Sequence, residues 1–355
     1  MCTLGVFLPG DHQCEVRTVK VPTPNHGQVL VQMRASTLCG SDLRAIYRPK
    51  VHKTDAEGYL GVIAGHEPCG IIVKRGDGVL DVWKEGTRVI IYHIQGCGSC
   101  FDCRKGQYIS CHAPERKAYG WQRDGGHGEY LVADQQSLVL LPDQLTYLDG
   151  AIIACGLGTA YAACLRAQIS GRDRVLVTGL GPVGLGTALV AQRLGARVLG
   201  IEFDKDRVNF ALSLGISCVQ CRESADADVQ HAMEWSQVDG VDVAIDCSGN
   251  ASARLTCLKA ARSWGRVVFV GEGGDVAVEV SPVIIHKSLA IYGSWVCSIS
   301  QMEELVEKLV IWGFHPEITV SDTFGIDDAR IAYELFDKGK TGKIAITYEG
   351  ERKVY

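Results

Sequence analysis

The sequence has no run of lysine or arginine residues and no long apolar stretch. Its 355 residues carry 36 Lys and Arg against 41 Asp and Glu, so the formal net charge is −5 and no basic surface is offered to a phosphate backbone. Nucleic acid is therefore not an expected partner. No apolar stretch approaches the length of a bilayer span, and the N-terminus lacks the basic and apolar regions of a signal peptide. We expect no membrane partner and a cytosolic location.

Disulfides are not expected either, although cysteine is plentiful. The 15 cysteines are odd in number and scattered over a long chain, which indicates reduced thiols, some of them bound to metal. Apolar residues make up 46% of the chain and charged residues 22%, and the 41 glycines suit an α/β protein with many tight turns. Because a chain of 355 residues is longer than a single hydrophobic core usually accommodates, we expect two domains.

Four cysteines fall within fifteen residues: Cys97, Cys100, Cys103 and Cys111. Four thiolates bind zinc tetrahedrally and leave no open position, which is typical of a structural site. Buried structural cysteines are one alternative, but the surrounding Gly, Ser and Asp residues indicate a loop. An iron–sulfur cluster is the other, but bacterial ferredoxins place the fourth cysteine three residues after the third and follow it with proline, whereas here the gap is seven residues and His112 follows. Zinc is favoured.

The first part of the chain is predicted to be β structure, with strands over 29–33, 70–73, 89–92 and 125–132. Two short polar motifs interrupt it, Cys39-Gly40-Ser41-Asp42 and Gly65-His66-Glu67. A lone histidine is usually structural, but His66 lies at the mouth of a strand, beside a carboxylate and downstream of a further thiol. From 148 to 167 the periodicity becomes helical, with Cys155 in a turn between two helices.

After Gly171 a β-α alternation begins. It predicts strands over 174–178, 198–202, 241–246 and 266–270, with helices over 183–194, 205–214 and 251–261. Such alternation implies a parallel, doubly wound sheet. A strand over 289–296 follows, and helices over 302–311 and 327–337 and a strand over 343–348 are expected to return to the first domain. We also expect a polar loop over 50–55 and an exposed tail over 349–355.

A glycine motif separates the first strand and helix of this alternation. It comprises Gly179, Leu180, Gly181, Pro182, Val183 and Gly184. The glycines allow a tight turn, and free N–H groups at the helix start can hold a pyrophosphate, although a mere helix-packing turn is the structural alternative. Glu202 ends the next strand, where a carboxylate accepts hydrogen bonds from a ribose diol and repels a 2′-phosphate. NAD is therefore favoured over NADP, while Arg207 nearby would suit either cofactor.

In this order, the two polar motifs, the four-cysteine lobe and the dinucleotide fold resemble the zinc-dependent alcohol dehydrogenases of the medium-chain dehydrogenase/reductase family. The resemblance covers essentially the whole chain. It implies an α/β protein with a GroES-like β catalytic domain over 1–153, completed by 296–355, and a Rossmann domain over 154–295. It also implies an active site in the cleft between them and a homodimer or homotetramer, for which 289–296 is the candidate edge strand.

The resemblance further implies a catalytic zinc, in addition to the structural one. Its ligands would be Cys39, His66, Cys155 and, as an exchangeable ligand, Glu67. Three protein ligands and one open position are what a catalytic zinc needs. Asp42 would orient His66, and Ser41 would take the proton from the substrate alcohol. Implied cofactor contacts are Thr159, Ser248, Val270, Gly271 and Lys343, with a solvated side chain as the alternative for the lysine.

Three residues depart from the family pattern. Arg44 stands where many members carry a histidine that finishes the proton relay, and because arginine keeps its proton, the relay would end at ribose hydroxyls or water. His93 and Glu272 stand where members carry aromatic or apolar side chains. The alternative for both is an ordinary polar side chain exposed to solvent, but if they face the cleft they favour a hydroxyl-rich substrate. Further pocket candidates are Tyr47, Trp121, Arg123 and Trp295.

These observations predict a zinc-dependent oxidoreductase that transfers hydride between NAD and a secondary alcohol, a polyol, sugar or cyclitol. Oxidation of threonine or of a simple alcohol is the alternative within the family. A zinc-free reductase using NADPH on enones and a non-enzymatic zinc-binding interaction protein are further alternatives. The four candidate zinc ligands oppose the first of these, and the acidic charge balance and the glycine motif oppose the second.

Overall fold

The computed structural model describes residues 2–48, 58–222 and 224–348, so the predicted loop over 50–55 and tail over 349–355 lie outside the described residues. In chain order the strands are β1 (Cys2–Gly10), β2 (Gln13–Lys20), β3 (Gln28–Thr37), β4 (Pro68–Arg75), β5 (Arg88–Ile91), β6 (Ile94–Gln95), β7 (Lys117–Ala118), β8 (Tyr130–Asp134), β9 (Leu138–Leu140), β10 (Arg174–Thr178), β11 (Arg197–Glu202), β12 (Cys218–Gln220), β13 (Val241–Asp246), β14 (Ala261–Phe269), β15 (Ala290–Gly293), β16 (Val320–Phe324) and β17 (Lys343–Thr347). The α-helices are α1 (Gly40–Asp42), α2 (Phe101–Arg104), α3 (Tyr147–Ile152), α4 (Gly158–Arg166), α5 (Pro182–Arg193), α6 (Lys205–Ser213), α7 (Ala225–Ser236), α8 (Ala251–Ala260), α9 (Ile299–Trp312) and α10 (Ala329–Asp337).

The chain divides into two compact units. Unit 1 comprises the residues up to Gly158 together with those from Cys297 onward, and unit 2 comprises Thr159–Val296. The sequence predicts boundaries after 153 and after 295. The chain leaves unit 1 within a helical run, so no loop marks the first boundary.

That helical run, Tyr147–Arg166, is 20 residues long and apolar enough to span a membrane by length and composition. The expectation that no apolar stretch reaches this length is therefore wrong. In the structure, 83% of its apolar window is buried, as in a core helix. The run consists of α3, a π-helical turn over Ile153–Leu157, and α4. It begins with reciprocal capping, because Thr146 Oγ1 accepts from Asp149 N at 3.1 Å and Asp149 Oδ2 accepts from Thr146 N at 2.9 Å.

Unit 1 is built on a sheet with the strand order β16-β17-β3-β4-β5-β9, in which β8 also pairs with β3. The central strand β3 buries Val29, Val31, Met33 and Ala35 completely. These alternate residues share one face of the strand, which packs on the main core of the unit. The last described strand, β17, pairs antiparallel with β3 and is buried throughout.

Unit 2 contains a six-stranded sheet in the order β12-β11-β10-β13-β14-β15, and every neighbouring pair in it is parallel. The predicted parallel α/β fold is confirmed, and β10 and β13 have the predicted bounds. Both strands are apolar at their centres, over 175–177 and 243–245, because they lie in the middle of a sheet and are covered on both faces. The strand order reverses between β10 and β13, which is where ligands bind in folds of this kind.

Two elements of unit 2 escaped the sequence prediction, the strand β12 and the helix α7. β12 has three residues, too few for a periodic signal. α7 does carry a start signal, since Ser224 Oγ accepts from Ala227 N at 3.2 Å as an N-cap. Its apolar residues do not form a clean stripe, so the pattern alone does not identify it.

Candidate active site

Four potential metal ligands of unit 1, Cys39, His66, Glu67 and Cys155, place their ligand atoms within 4.8 Å of one another. The pairing of β3 with β4 brings Ser36 opposite Pro68, so the segments just beyond these paired ends, with Cys39 and His66, lie side by side. The π-helical turn after α3 supplies Cys155. π-helical turns are rare and occur often at functional sites. The structure thus brings together the predicted ligand set from three separate parts of the chain.

The ring of His66 is held by Asp42. Its Nδ1 lies 2.8 Å from Asp42 Oδ1, and Trp121 Nε1 donates to the same carboxylate oxygen at 3.2 Å. Asp42 has no exposed surface. This contact assigns the proton to Nδ1 and leaves Nε2 for a metal. Burial lowers the pKa of His66, but the charges of Asp42 and Cys39 outweigh it and raise that pKa well above its ordinary value.

Ser41 lies directly against the ligands. Its hydroxyl donates to Cys39 Sγ at 3.3 Å and lies 3.4 Å from His66 Nε2. Arg44 follows on a π-helical turn over Leu43–Tyr47 and is exposed. The structure therefore brings Ser41 and Asp42 to the metal-ligand cluster and leaves Arg44 on a solvent-facing position of the next turn.

The two thiols of the cluster share a hydrogen bond. It lowers the pKa of Cys39 well below its ordinary value and raises that of Cys155. The charge of His66 lowers the pKa of Cys39 further. A thiolate is the form of cysteine that binds metal, so the surroundings of Cys39 favour the ligand form.

Glu67 is completely buried and its carboxylate is engaged. It accepts from Thr37 Oγ1 and from Gly156 N, the latter at 3.1 Å, and forms an ion pair with Lys343. Burial raises the pKa of Glu67 to about 7, against the lowering effect of Lys343.

Lys343 is only 1% exposed, so the alternative of a solvated lysine is wrong. The reason is the course of β17, which runs beside β3 and is buried along its length. Burial lowers the pKa of Lys343, but Glu67 and Cys39 raise it above its ordinary value. The predicted pyrophosphate contact of Lys343 stays a prediction. Sequence reasoning missed the ion pair because its partners lie at opposite ends of the chain.

His93 also lies beside the cluster. Its Nδ1 bonds to the carbonyl of Ala154 at 2.9 Å, and its ring centroid is 5.5 Å from that of His66. The side chain is buried, so the alternative of a solvent-exposed polar residue is wrong for His93. Burial and the neighbouring His66 lower the pKa of His93 to about 3, which keeps the ring neutral. Trp121, whose ring is 6.3 Å from His66, lies at the cluster as well.

Two further pocket candidates of unit 1, Tyr47 and Arg123, make their contacts away from the cluster. Tyr47 is 1% exposed and stacks on Tyr333 in the core of unit 1, at 5.3 Å between centroids, so its assignment to the pocket is wrong. The helical turn that carries it points the ring into the core. Arg123 bonds to Asp134 and Gln95 instead of facing a pocket. Glu272 and Trp295 belong to unit 2, where both are exposed.

The four-cysteine lobe forms a second potential metal centre. The sulfur atoms of Cys97, Cys100, Cys103 and Cys111 lie within 4.8 Å of one another. Three backbone N–H groups donate to sulfur atoms at 3.4 Å, from Cys97 to Cys111, from Cys100 to Cys97 and from Cys103 to Cys100. Donation from Ser99 lowers the pKa of Cys97 to about 6. Hydrogen bonds of this kind favour thiolates, and four thiolates fit a closed zinc site.

The glycine motif of unit 2 forms a tight turn at the switch point of the sheet. Gly179 has φ of 79°, and a Cβ added there would lie 2.6 Å from Ser248 Cβ. A Cβ on Gly184 would lie 1.8 Å from the carbonyl oxygen of Gly179. Helix α5 starts at Pro182, with Gly181 as its N-cap and no side-chain cap. The free N–H groups of this helix start suit an anion such as a pyrophosphate.

Glu202 is buried at the end of β11, against the glycine motif. Its carboxylate accepts from Leu180 N at 2.6 Å and from the backbone N–H groups of Phe203 and Asp204 at 2.8 and 3.0 Å. The guanidinium of Arg207 lies beside Gly181, with Nη1 3.7 Å from the position of an added Cβ, and its Nε is buried with no hydrogen-bond partner. A carboxylate and a cation thus both border the predicted ribose site.

The remaining cofactor candidates, Thr159, Ser248, Val270 and Gly271, belong to unit 2. Ser248 follows β13, and Val270 and Gly271 follow β14. The backbone N–H groups of Val270 and Gly271 donate to the carbonyl of Asp246 at 2.9 and 3.0 Å. Thr159 is half-buried near the start of α4. The ends of β10, β13 and β14 therefore gather the glycine motif, Ser248 and the pair after β14 on one edge of the sheet.

The chain is similar to known dehydrogenase sequences over nearly its full length. The sequence profile described as "Alcohol dehydrogenase GroES-like domain" matches residues 25–143, and that described as "Zinc-binding dehydrogenase" matches residues 182–310. The chain is 45% identical over 349 residues to the uncharacterized zinc-type alcohol dehydrogenase-like protein YphC of Escherichia coli (strain K12), covering 97% of this chain and 98% of the relative. It is 32% identical over 339 residues to L-threonine 3-dehydrogenase of Pyrococcus furiosus, covering 94% and 95%.

Among solved structures, alcohol dehydrogenase TADH from Thermus sp. ATN1 superposes with a TM-score of 0.85 at 26% identity, covering 97% of this chain and 99% of that one. The GroES-like profile match lies within unit 1, as do the ligands grouped around His66. On this agreement of sequence and fold, the chain belongs to the zinc-dependent alcohol dehydrogenases of the medium-chain dehydrogenase/reductase family and is an oxidoreductase.

Proposed function

We propose that the protein oxidises a polar secondary alcohol, a polyol, sugar or cyclitol, with NAD as the hydride acceptor. The observation that carries the proposal is the grouping of Cys39, His66 and Cys155 in unit 1. Glu67 is engaged by Lys343, so two sulfur ligands and one imidazole remain, which is a ligand set of catalytic zinc in dehydrogenases. The donor set therefore fits zinc at this place, and the four-cysteine lobe fits a second zinc.

Zinc held by these three side chains supplies a Lewis acid that lowers the pKa of a substrate hydroxyl. Ser41 Oγ, close to both Cys39 and His66, accepts the hydroxyl proton and passes it outward. Asp42 keeps the Nδ1 proton of His66 in place and fixes the ring. Since Arg44 stays protonated at neutral pH and takes up no proton, the proton passes from Ser41 to water.

The cofactor assignment rests on Glu202. Its buried carboxylate at the end of β11 repels a 2′-phosphate and accepts from the hydroxyls of an unmodified ribose. The unpartnered Nε of Arg207 supports the opposite choice, because a guanidinium binds phosphate well. We propose NAD as the cofactor, and the rates of reduction of NAD and of NADP by the same substrate test this choice.

The preference for a polar substrate rests on His93. A neutral, buried imidazole beside His66 offers a hydrogen bond where an aromatic wall would offer only apolar contact. Oxidation of L-threonine is a second candidate, supported by 32% identity to an L-threonine 3-dehydrogenase. Threonine also carries a secondary hydroxyl among polar groups, so the same observation suits both candidates.

The protein is also proposed to form a homodimer or homotetramer through unit 2. β15 ends the six-strand order, and an unpaired edge strand is a template for pairing with a second copy. Apolar side chains near this edge are exposed, among them Ile285 at 61%, Ile291 at 38% and Trp295 at 51%. The native mass in solution, measured by light scattering on a sizing column, tests this assembly.

The experiment that tests the proposed function is reduction of NAD and of NADP across a panel of alcohols. The panel contains polyols, sugars, cyclitols, L-threonine and simple secondary alcohols, each measured with and without a chelator, and zinc per chain is determined in parallel. We expect turnover of a polar alcohol with NAD that the chelator abolishes. Undiminished turnover by a zinc-free preparation contradicts the zinc assignment, and fast oxidation of simple alcohols alone contradicts the polar-substrate assignment.

A further inference from the structure

A buried ion pair lies at the carboxyl edge of the unit 2 sheet, where β13 ends. It joins Asp246, which has no exposed surface, to Arg254 of α8, whose side chain is 12% exposed. We infer that Arg254 is a positioning residue, which ties two loops together and thereby sets the affinity of the enzyme for NAD. The inference rests on the proposed function, because it takes NAD as the ligand of this edge.

The first loop, residues 247–250, folds around the carboxylate of Asp246. Oδ1 accepts from Ser248 N at 3.0 Å and from Ser248 Oγ at 2.6 Å, and Oδ2 accepts from Gly249 N at 3.1 Å. Thr178, at the end of β10, donates to Oδ1 at 3.2 Å. The carboxylate therefore fixes the loop that carries Ser248 and links it to the strand preceding the glycine motif.

The second loop, residues 271–274, is held by the guanidinium of Arg254. Nη2 donates to the carbonyl of Gly271 at 2.7 Å, Nη1 donates to that of Gly274 at 2.6 Å, and Nε donates to Asp246 Oδ2 at 3.3 Å. The planar guanidinium thus uses three N–H groups in fixed directions at once. One side chain spans the second loop and joins it to the carboxylate that orders the first.

The two loops touch through backbone atoms. A Cβ on Gly249 would lie 2.4 Å from the carbonyl oxygen of Glu272, and one on Gly271 would lie 2.2 Å from Gly249 N. Residues 272–274 are exposed, so the second loop buries little surface of its own. A segment with little burial opens at small free energy unless polar contacts hold it. The hydrogen bonds of Arg254 are such contacts.

The consequence concerns cofactor binding, because the proposed contacts Ser248 and Gly271 belong to the two loops. Without the guanidinium, Asp246 still orders the first loop through its backbone donors, whereas the second loop loses both carbonyl contacts. Cofactor binding then has to order the second loop, and the entropy of that ordering reduces affinity. Zinc binding involves residues of unit 1 only and is not affected.

The chain offers a matched control at the other end of the same strand. Asp242, at the start of β13, is 4% exposed and accepts from Arg262 Nε at 2.5 Å. Replacing Arg262 removes one arginine–aspartate contact from unit 2, far from the strand ends that carry the cofactor loops, while Arg174 keeps Asp242 paired. Arg254→Met and Arg262→Met therefore separate a positioning effect from a general loss of stability.

The experiment titrates wild type, R254M, R254K and R262M with NADH and follows cofactor fluorescence. Melting temperature, zinc per chain and hydrogen–deuterium exchange of peptides covering 271–274 are measured on the same samples. We expect the Kd for NADH to rise about tenfold in R254M and to change less than about twofold in R262M. R254K, which keeps the charge beside Asp246, is expected to recover part of the affinity. Exchange over 271–274 is expected to rise in R254M and not in R262M.

An unchanged Kd in R254M, or an equal rise in R262M, overturns the positioning role while the proposed function stands. If R254M does not fold, R254K carries the test, and wild-type affinity and exchange in R254K overturn the role. Failure of the wild type to bind NADH overturns the proposed cofactor and this inference together. The KM for NAD provides a further check, since we expect it to rise in R254M more than kcat falls.

Discussion

Asp42 holds the ring of His66 from a position with no exposure to solvent. Asp42→Asn keeps the shape of the side chain but removes the charge that favours Nδ1–H and supports His66 as a ligand. We expect kcat/KM to fall about 10- to 100-fold and zinc to be bound more weakly, as with other lost partners of ligand histidines. Steady-state kinetics and zinc content measure both effects. Asp337→Asn, at a surface ion pair with Arg48, is the control, and wild-type kinetics in D42N contradict the orienting role.

His93 is the single residue on which the substrate preference depends most. His93→Phe removes a hydrogen-bonding group beside His66 and restores an aromatic side chain. We expect the ratio of kcat/KM for a polyol to that for a simple secondary alcohol to fall about tenfold or more, because a polar substrate leaves a hydroxyl unpaired. The alcohol panel measured on wild type and H93F provides the ratio. An unchanged ratio removes His93 from substrate recognition.

At the scale of the element, the lobe around α2 gathers four potential metal ligands within a short stretch of backbone. Cys103 is 5% exposed, and its sulfur lies with those of three other cysteines. Cys103→Ser removes one of four thiolates, so we expect about one zinc per chain in place of about two, and a lower melting temperature. NADH affinity is expected to stay at the wild-type value. Metal analysis and thermal unfolding test this, and an unchanged zinc content contradicts the structural site.

The start of β13 carries a pH-dependent contribution to stability. Burial acts to raise the pKa of Asp242, but hydrogen bonds from Arg174 and Arg262 hold it well below its usual range. A depressed pKa adds stability above the unfolded pKa, and this stability is lost as the pH falls through the folded one. Asp242→Asn is expected to lower the free energy of unfolding by about 2–4 kcal/mol at neutral pH. The difference from wild type is expected to shrink as the pH falls below about 4.

Urea unfolding of wild type and D242N across this pH range measures that difference. Lys259→Met, at an exposed ion pair with Asp226, serves as the control, since exposed pairs contribute little. A difference between wild type and D242N that is constant with pH contradicts the assignment of the depressed pKa.

How far the sequence predicts these elements depends on how local their signals are. β10 and β13 are identified by their apolar centres, 175–177 and 243–245, and the cysteine cluster by its spacing. Both signals lie within a few residues. The pairing of Glu67 with Lys343 depends on β17 lying beside β3, which no local pattern encodes. The sequence also gives no sign that Tyr47 belongs to the core, because only tertiary packing shows that its ring stacks on Tyr333.

At the scale of the whole molecule, the two proposed centres belong to different units. The ligands around His66 lie in unit 1, and the glycine motif lies in unit 2. Cys39→Ser is therefore expected to abolish turnover while leaving the Kd for NADH at the wild-type value. Kinetics and NADH titration test the separation, with Cys2→Ser, an exposed thiol, as control. A large loss of NADH affinity in C39S contradicts it.

The position of Lys343 has a consequence for the order in which the protein is assembled during synthesis. Unit 2 is complete once residue 296 has been made, whereas the charge of Glu67 gains its buried partner only when β17 emerges and joins β3. Since a nascent chain folds from its N-terminus as it leaves the ribosome, unit 2 has time to fold while unit 1 still lacks its last strand. A message truncated before residue 343 therefore yields a chain that has the glycine motif of unit 2 but lacks the buried cation that pairs with Glu67 beside the proposed metal ligands.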